Sequence, residues 1–452
     1  MLTHATAKIT CGLALLALLC APTLSAQPRP APSKEEPAVS LEGQVITQLH
    51  LRNDSDFDPS ERLYDLDGQT DGQAVTLLSP LVRVNAGQGV RVQYQLEVGW
   101  NTWSSMDAGR PNQYMGGGAP GLVARHKQAW GEWRGDRLSL RAGFQRVKDP
   151  TGLFLDHSMG ALSARYRLKG QRIELLAGQL PDTSFEGLEV RNDNYATDNL
   201  LVGLHYRSKL GESLHLALGA YHLRDYRVIG RTFALSTGSM RVSGGGGSLK
   251  FWVDLAGQYG SWEASAVGGG DVQIATYAAQ AGLKKRLDQL SLGVNLLALS
   301  ADDDSDGNEQ MGAFFGSARN QSGTIFLTED ETRDRYDNID ERLGSYWGSL
   351  AFTPAGLSIA DVSVAYQVSE RYIPRLTLAY AVTLNPNRAL GHRHVGAELS
   401  FTQRLKLSSR ASVLLNALLF APGGAAAAMI NDIDREATEL LYGGSLAFAL
   451  TF

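Results

Sequence analysis

Apolar and polar residues alternate along most of the chain from residue 39 onward. In the segment 90–101, V-R-V-Q-Y-Q-L-E-V-G-W-N, every second residue is apolar and the residues between are polar or glycine. The segments 137–145 and 162–169 alternate in the same way. Because the side chains of a β-strand point alternately to two faces, this pattern predicts strands with one apolar and one charged face. At about twelve residues, these strands are longer than is usual in soluble proteins.

Short turns and longer polar loops separate the predicted strands. The short turns, most of which contain Gly or Asp suited to hairpin geometry, are predicted at 85–89, 134–136, 169–171, 210–212, 287–289 and 407–409. The longer loops are predicted at 53–72, 102–121, 147–158, 183–197, 225–246, 303–343 and 422–438. Short turns on one side and long loops on the other are typical of a transmembrane β-barrel.

The final segment, 440–452, has an especially clear alternation. Leu446, Phe448, Leu450 and Phe452 fall on one face of the predicted strand, and small residues fall on the other. An apolar strand at the edge of a sheet invites aggregation, whereas closing the sheet into a barrel removes its edges. The segment also resembles the closing strand of bacterial outer-membrane barrels, which ends in phenylalanine. This resemblance implies that Phe452 is the assembly signal.

The predicted fold is therefore all-β, an antiparallel transmembrane barrel of about 18 strands (16–20) that spans residues 39–452. Between Asp303 and Leu357 the alternation of short turns and long loops slips by one. Either the stretch 323–328 contains a further strand, or one strand has been divided wrongly between Leu249 and Ala266. A barrel of this width is too large for its own side chains to fill, so it encloses a channel or a loop plug.

Composition is compatible with this barrel and does not identify it. The chain has 452 residues, of which 43% are hydrophobic and 20% charged, and its 49 glycines favour many turns. Its mean hydropathy of -0.16 suits a soluble protein as well as a barrel with a wet lumen. No uninterrupted apolar run reaches the roughly 18 residues of a membrane-spanning helix. The formal net charge of -5 does not suggest a nucleic-acid partner.

The N-terminal segment has the features of an export signal. Lys8 precedes an apolar run, and Leu24-Ser25-Ala26 provides a cleavage site before Gln27, so residues 1–26 are predicted to be a signal peptide. The proline-rich residues 27–38 are predicted to form a periplasmic linker. The only cysteines, Cys11 and Cys20, lie within the signal. The predicted location is the bacterial outer membrane.

Several strand motifs between residues 128 and 166 resemble a known family. They are Q-A-W-G-E-W (Gln128–Trp133), L-S-L-R-A-G-F-Q-R (Leu138–Arg146), G-L-F-L-D (Gly152–Asp156) and A-L-S-A-R-Y (Ala161–Tyr166). Together they resemble the alginate-export family of outer-membrane porins, although Phe144 and Gly160 depart from the family's usual Arg and Asp. The resemblance implies a conduit for an acidic exopolysaccharide.

The predicted strand faces assign a set of charged residues to the lumen. These candidate pore-lining residues are Arg83, Arg91, Arg141, Arg165, Arg167, His205, Arg207, Glu97, Glu132 and Glu174. Guanidinium groups stay charged and bind carboxylates bidentately, so an arginine-lined lumen would favour an anionic solute. Alternatively, the arginines and glutamates form a structural ladder in which they bind one another.

No catalytic site, cofactor site or metal site is predicted. The histidines are scattered, and no Ser, His and Asp have a spacing that suits a catalytic triad. The acidic stretch 302–309 resembles the start of a calcium loop, but Ala313 stands where an EF-hand requires a glutamate. A solvated outer loop is the simpler interpretation. The chain is therefore not predicted to be an enzyme.

The function predicted from these observations is export of a secreted, anionic exopolysaccharide. The alternatives are a porin for small solutes and a structural barrel of an envelope or surface machine. The partners expected for the exporter are the polysaccharide, a periplasmic export or scaffold protein, the lipid and lipopolysaccharide of the outer membrane, and the barrel assembly machinery.

The signal and the final strand predict where the protein is found. The mature chain should begin near Gln27, and it should fractionate with the outer membrane as a band whose mobility changes on heating. Deleting Phe452 should impair assembly, because the closing strand then loses its terminal aromatic residue. Recovery of the native protein as a soluble periplasmic species would contradict the barrel.

Overall fold

The computed structural model describes residues 38–52, 71–104, 122–180, 199–225, 232–262, 271–302, 310–316, 324, 327, 355–431 and 440–452. All of them belong to one compact unit, Glu36–Phe452. The predicted signal peptide lies outside the described residues, and so does the predicted linker apart from Ala38, where the first strand begins.

Eighteen strands of nine to 17 residues form the wall of the structure. They are β1 (Ala38–Arg52), β2 (Asp71–Gly87), β3 (Val90–Ser104), β4 (Leu122–Arg134), β5 (Leu138–Lys148), β6 (Asp156–Leu168), β7 (Gln171–Gln179), β8 (Asn199–Lys209), β9 (Leu214–Asp225), β10 (Phe233–Gly246), β11 (Leu249–Trp262), β12 (Val272–Leu287), β13 (Leu290–Leu299), β14 (Leu357–Tyr366), β15 (Tyr372–Val382), β16 (His394–Lys406), β17 (Ala411–Pro422) and β18 (Leu441–Thr451). The described parts of the loops add a two-residue strand (Gln310–Met311), a 3-10 helix (Pro386–Ala389) and one α-helix, α1 (Gly424–Asn431).

The wall is a closed antiparallel barrel. Each strand pairs with its neighbours in the chain, and β1 pairs with β2 on one side and with β18 on the other. The predicted fold class is confirmed, including the count of 18 strands. The number of strands around residues 303–357, which the sequence left open, is also resolved. Strand β13 pairs directly with β14, from Leu290 opposite Tyr366 to Leu299 opposite Leu357. The stretch 249–262 is a single strand.

The barrel presents its apolar face outward and its polar face inward. On neighbouring strands Val92, Leu140 and Leu162 are 46%, 41% and 58% exposed. The polar residues next to them, such as Gln93 and Ser139, are buried. This is the arrangement that a lipid environment requires, because lipid replaces water at the outer surface. Among the described residues, no helix combines the length and hydropathy needed to cross a bilayer.

All six predicted short turns lie between consecutive strands, and two more join strands at 247–248 and 367–371. The predicted loop at 225–246 is wrong, since most of it forms β10. Its glycine run is packed within a hairpin, because a Cβ on Gly244 would lie 2.9 Å from the Phe251 ring. Glycine thus allows the Phe251 ring to lie across the neighbouring strand.

Several loops pack into the barrel at the end opposite the short turns. The loop 149–155 between β5 and β6 is entirely buried, although the sequence predicted an outer loop there. Phe314, Phe315 and Leu327, from the described parts of the loop between β13 and β14, are also buried, as is Ala425 of α1. These residues form one apolar cluster with inward-facing residues of the wall. The loop end of the interior is therefore partly filled.

The barrel closes through a contact between a glycine and the terminal aromatic residue. The backbones of Gly43 and Phe452 exchange two hydrogen bonds of 3.0 Å. A Cβ on Gly43 would lie 2.5 Å from Cζ of Phe452 and 3.0 Å from the Ser79 carbonyl oxygen. The ring of Phe452 thus covers the space that a side chain at position 43 would occupy.

This contact predicts that Gly43→Val weakens closure. The valine should displace the Phe452 ring and reduce the free energy of unfolding by about 1–3 kcal/mol, the usual range for overpacking. The measurement is urea unfolding in lipid vesicles, read from the heat-modifiable band. Gly160→Val is the matched control, because a Cβ at Gly160 meets no atom within 4 Å. Equal stability of the two variants would contradict the role given to the Gly43–Phe452 contact.

Candidate functional site

The loop 149–155 is organised around one buried carboxylate. Asp149 is 1% exposed. Its Oδ2 accepts hydrogen bonds from the backbone N–H of Thr151 (2.9 Å) and from the Thr151 hydroxyl. Its Oδ1 accepts from the N–H groups of Phe154 and Leu155, at 3.2 and 3.1 Å. Because an ionised carboxylate is a strong acceptor, Asp149 holds the loop in a compact turn while it satisfies buried N–H groups.

The loop is closed at its stem and held at its beginning. At the stem, Asp156 binds Arg146 Nε (2.6 Å) and Lys148 Nζ (2.8 Å), while the Asp149 N–H donates to the Leu155 carbonyl at 2.8 Å. At the beginning of the loop, the Pro150 carbonyl accepts a hydrogen bond of 3.3 Å from Arg241 Nη1 on β10. The loop therefore extends from β5 to a strand five positions further along the wall.

The apolar side of the loop packs against the inner wall. Leu153, Phe154 and Leu155 are at most 3% exposed. The Phe154 ring lies 5.2 Å from the Tyr221 ring, centroid to centroid. The Tyr221 hydroxyl in turn lies 2.8 Å from Nε2 of His205 on the adjacent strand β8. His205 is therefore enclosed between the loop and the wall.

Three of the predicted lumenal arginines are paired with carboxylates, among them Arg141 and Arg165. Arg141 Nη2 lies 3.1 Å from Glu132 Oε1, and its guanidinium carbon lies 4.1 Å from the centroid of the Trp130 ring. Arg165 donates from Nε and Nη2 to the two oxygens of Glu174, at 3.1 and 2.9 Å. Such bidentate geometry fixes the guanidinium plane and neutralises its charge locally. These pairs match the structural-ladder alternative.

A second row of arginines lies closer to the short turns, and its charges are poorly compensated. Arg167 on β6 is directly opposite Arg172 on β7, and Arg172 is directly opposite Arg207 on β8. Within the described part of the chain, neither Arg167 nor Arg207 forms an ion pair, and both are exposed. The nearest carboxylate oxygen to Arg172 is that of Glu174, at 3.9 Å. Directly opposed like charges destabilise a sheet, so this row has a cost in stability.

A cavity separates the loop from this arginine row. Its volume is about 580 Å³. Lys148, Pro150, Arg167, Arg172, Arg207 and Arg241 are among the residues that line it. The cavity is thus bounded by the constricting loop on one side and by cationic groups on the other.

The remaining predicted residues also lie on the inner face. Arg83 Nη1 contacts both oxygens of Glu42, at 2.7 and 2.8 Å. Glu97 is buried and binds Lys127. Arg91 lies directly opposite Glu132, yet it forms no ion pair among the described residues. The structure thus divides the predicted charged set into ion-paired groups and arginines without an ion-pair partner among the described residues, and a role in solute passage stays a prediction for each.

Sequence reasoning missed Arg172, Asp149 and the ion pair of Arg241 with Asp254. Arg172 could have been found, because it is two residues from Glu174 and therefore shares its strand face. For the loop 149–155, the signal was the apolar run Leu153–Leu155 inside a predicted loop, which indicates packing against the protein. The pairing of Arg241 with Asp254 depends on the register of β10 and β11, which their sequences do not fix.

The acidic stretch 302–309 is described only at its first residue. Asp302 forms an ion pair with Arg388, and its carbonyl accepts a hydrogen bond from Asn385, so it connects two loops. Residues 303–309 lie outside the described part of the chain. Within the described ranges, no three or more His, Cys, Asp or Glu side chains converge as metal ligands would.

Comparison with solved structures identifies this architecture. OccK9 (OpdG) of Pseudomonas aeruginosa superposes with a TM-score of 0.58 over 92% of this chain and 98% of its own, at 10% identity. OccK5 (OpdH) of the same organism gives 0.56 over 91% and 97%, at 9% identity. OccAB4 of Acinetobacter baumannii gives 0.55 over 93% and 99%, at 10% identity. The chain has the fold of an outer-membrane porin. Its location is the bacterial outer membrane, as predicted.

The sequence itself matches no family model. No curated protein matches it either.

The resemblance to the alginate-export family is wrong, because the chain shares its fold with OccK9 and the other Occ structures named above. The motifs that carried it, such as Leu138–Arg146, consist mainly of alternating apolar and charged residues followed by a turn. Any wide barrel needs such strands, so the motifs indicate a barrel and do not identify the molecule that passes through it.

Proposed function

We propose that this protein is a porin through which small anionic solutes diffuse across the outer membrane. The observation that carries the proposal is the cavity of about 580 Å³ between the loop 149–155 and the arginine row. Its volume is that of a site for a small molecule, for which about 300–1,000 Å³ is typical. The proposal includes no catalytic step, because passage through such a lumen follows the solute's own gradient.

The inward-folded loop supports a small solute over a polymer. The loop 149–155 occupies space at one side of the lumen, and Phe314, Phe315 and Leu327 occupy more of it. An extended polysaccharide would need a continuous wide path past all of these groups. The fold likeness to Occ porins also favours the small-solute alternative over polysaccharide export. No observation on the described residues favours a purely structural barrel.

The arginine row supports the anionic character of the solute. Arg167 and Arg207 are exposed and unpaired among the described residues, so an entering anion can neutralise them without displacing a carboxylate. Cationic groups in a confined, low-dielectric lumen lower the barrier for anions and raise it for cations. The paired arginines Arg83, Arg141 and Arg165 contribute less, because their charges are already compensated.

The partners that follow from this proposal are few. The outward apolar face contacts the lipid and lipopolysaccharide of the outer membrane, and the barrel assembly machinery recognises the strand that ends in Phe452. A diffusion channel requires no periplasmic export or scaffold protein, in contrast to a polymer exporter.

The proposal predicts that Arg167→Gln/Arg207→Gln reduces anion preference. A unit charge about 4 Å from an ion contributes about 1 kcal/mol even in water, so removing two should lower the anion-to-cation permeability ratio by roughly tenfold or more. The measurement is the reversal potential across a KCl gradient in planar bilayers.

The matched control is Arg371→Gln/Arg410→Gln, which makes the same change in charge in the turns 367–371 and 407–410. The control should retain most of the wild-type anion preference. An unchanged reversal potential in the folded Arg167/Arg207 variant would show that the row does not select anions.

A further inference from the structure

We propose that Arg241 is a positioning residue: it holds the loop 149–155 across the lumen, and its charge does not serve the solute. The inference deepens the proposed function. It rests on that function only in the claim that solutes pass the part of the lumen that the loop 149–155 narrows. Arg241 was not among the residues that the sequence singled out.

Three nitrogens of Arg241 contact protein groups, and two of them donate hydrogen bonds. Its Nε lies 2.7 Å from Oδ1 of Asp254, and its Nη2 donates to Oδ2 of the same residue at 2.8 Å. Its Nη1 donates to the Pro150 carbonyl oxygen at 3.3 Å. Arg241 and Asp254 are directly opposite on β10 and β11, and the Asp254 side chain has no exposed surface. The wall therefore fixes the orientation of the guanidinium plane. The guanidinium in turn fixes the position of the loop through the Pro150 carbonyl.

The adjacent strand provides room for the loop. A Cβ on Gly219 of β9 would lie 2.9 Å from Cδ of Pro150 and 2.5 Å from Oγ of Ser239. A side chain at position 219 would thus crowd the place where Pro150 rests. Gly219 and Arg241 lie on neighbouring strands, so together they form a seat for the beginning of the loop.

The seat acts together with the bonds inside the loop. The hydrogen bonds to Asp149 give the loop its shape, but they do not determine where that shape lies in the lumen. The stem at Asp156 fixes one end to β5 and β6. Arg241, 91 residues away in sequence, supplies a polar contact from β10 to the beginning of the loop.

The two kinds of arginine around the cavity therefore differ in function. Arg241 is 19% exposed and faces a carboxylate and a carbonyl, whereas Arg167 and Arg207 are exposed and have no ion-pair partner among the described residues. Removing Arg241 alone would leave the buried charge of Asp254 unpaired, which is strongly destabilising. A clean test must remove both charges together.

The test is Arg241→Gln/Asp254→Asn, which leaves the net charge of the lumen unchanged. If Arg241 positions the loop, the double variant should release it. The single-channel conductance should then rise, on the order of twofold, and become more variable, because the constriction widens and fluctuates. The reversal potential across a KCl gradient should stay close to that of the wild type. A conductance that stays uniform with a shifted reversal potential would overturn the inference, since Arg241 would then act on the solute directly.

The control is Arg83→Gln/Glu42→Gln, which removes another arginine–carboxylate ion pair, a more exposed one between β1 and β2. It should leave the conductance uniform. A rise in conductance equal to that of the Arg241 variant would overturn the inference, because any lost lumenal pair would then loosen the channel.

A second test measures the reactivity of an introduced thiol and does not depend on ion current. Leu153 is 1% exposed, and both natural cysteines lie in the predicted signal peptide, so Leu153→Cys introduces a single thiol. In the otherwise unchanged protein this thiol should react slowly with a polar maleimide. In the Arg241→Gln/Asp254→Asn background it should react at least about tenfold faster, as expected when a local structure opens. Equal rates in the two backgrounds would overturn the inference, even if anion selectivity were absent and the proposed function failed.

A third variant perturbs the contact of Pro150 with β9, the strand next to β10. Gly219→Ala leaves the ion pair intact but crowds Pro150, so it should raise thiol reactivity at position 153 as well. Gly238→Ala on the neighbouring strand β10 is its control, because a Cβ there meets no atom within 4 Å. Equal reactivity in these two variants would contradict the seat formed by Gly219 and Arg241.

Discussion

The structure depends on one constraint: in a membrane, every backbone hydrogen-bonding group must find its partner within the protein. A sheet meets this requirement only when it closes, and here β1 completes the closure by pairing with β18 from Gln44 to Arg52. Closure sends the apolar residues outward to the lipid and the charged residues inward. Inside the barrel, the charged side chains must then be neutralised by one another, by water or by a passing solute.

The loop 149–155 and the arginines divide the interior according to this rule. Paired groups such as Arg165 and Glu174 stabilise the wall and add little to the electric field in the lumen. Asp149 places a carboxylate where it satisfies buried N–H groups, so the loop can lie inside the barrel without unpaired backbone. The uncompensated cations, Arg167 and Arg207, remain near the cavity that this loop bounds. In the proposed function, selectivity and constriction thus arise from different residues.

The sequence was sufficient to predict the architecture, because the same local pattern of alternating residues and turns repeats around the barrel. Alternation, turn residues and the terminal Phe452 each report which face of a strand meets lipid, and 18 strands followed from counting them. The errors arose where structure depends on distant contacts. The loop predicted at 225–246 is one of them, since the packing of Phe251 over Gly244 cannot be seen from composition. The loop 149–155 was placed outside, since its contacts with Tyr221 and Arg241 come from strands far along the chain.

Polysaccharide export is less well supported than passage of small solutes, for a related reason. The motifs that suggested it describe strands, whereas the cargo depends on how loops fill the lumen. The most direct test of the account is therefore uptake by proteoliposomes of anions of graded size, from small carboxylates to an acidic polysaccharide. We expect the small anions to enter faster than neutral solutes of equal size, and uptake to stop well below the size of a polymer. Passage of the long polysaccharide at a rate similar to that of the small anions would contradict the account.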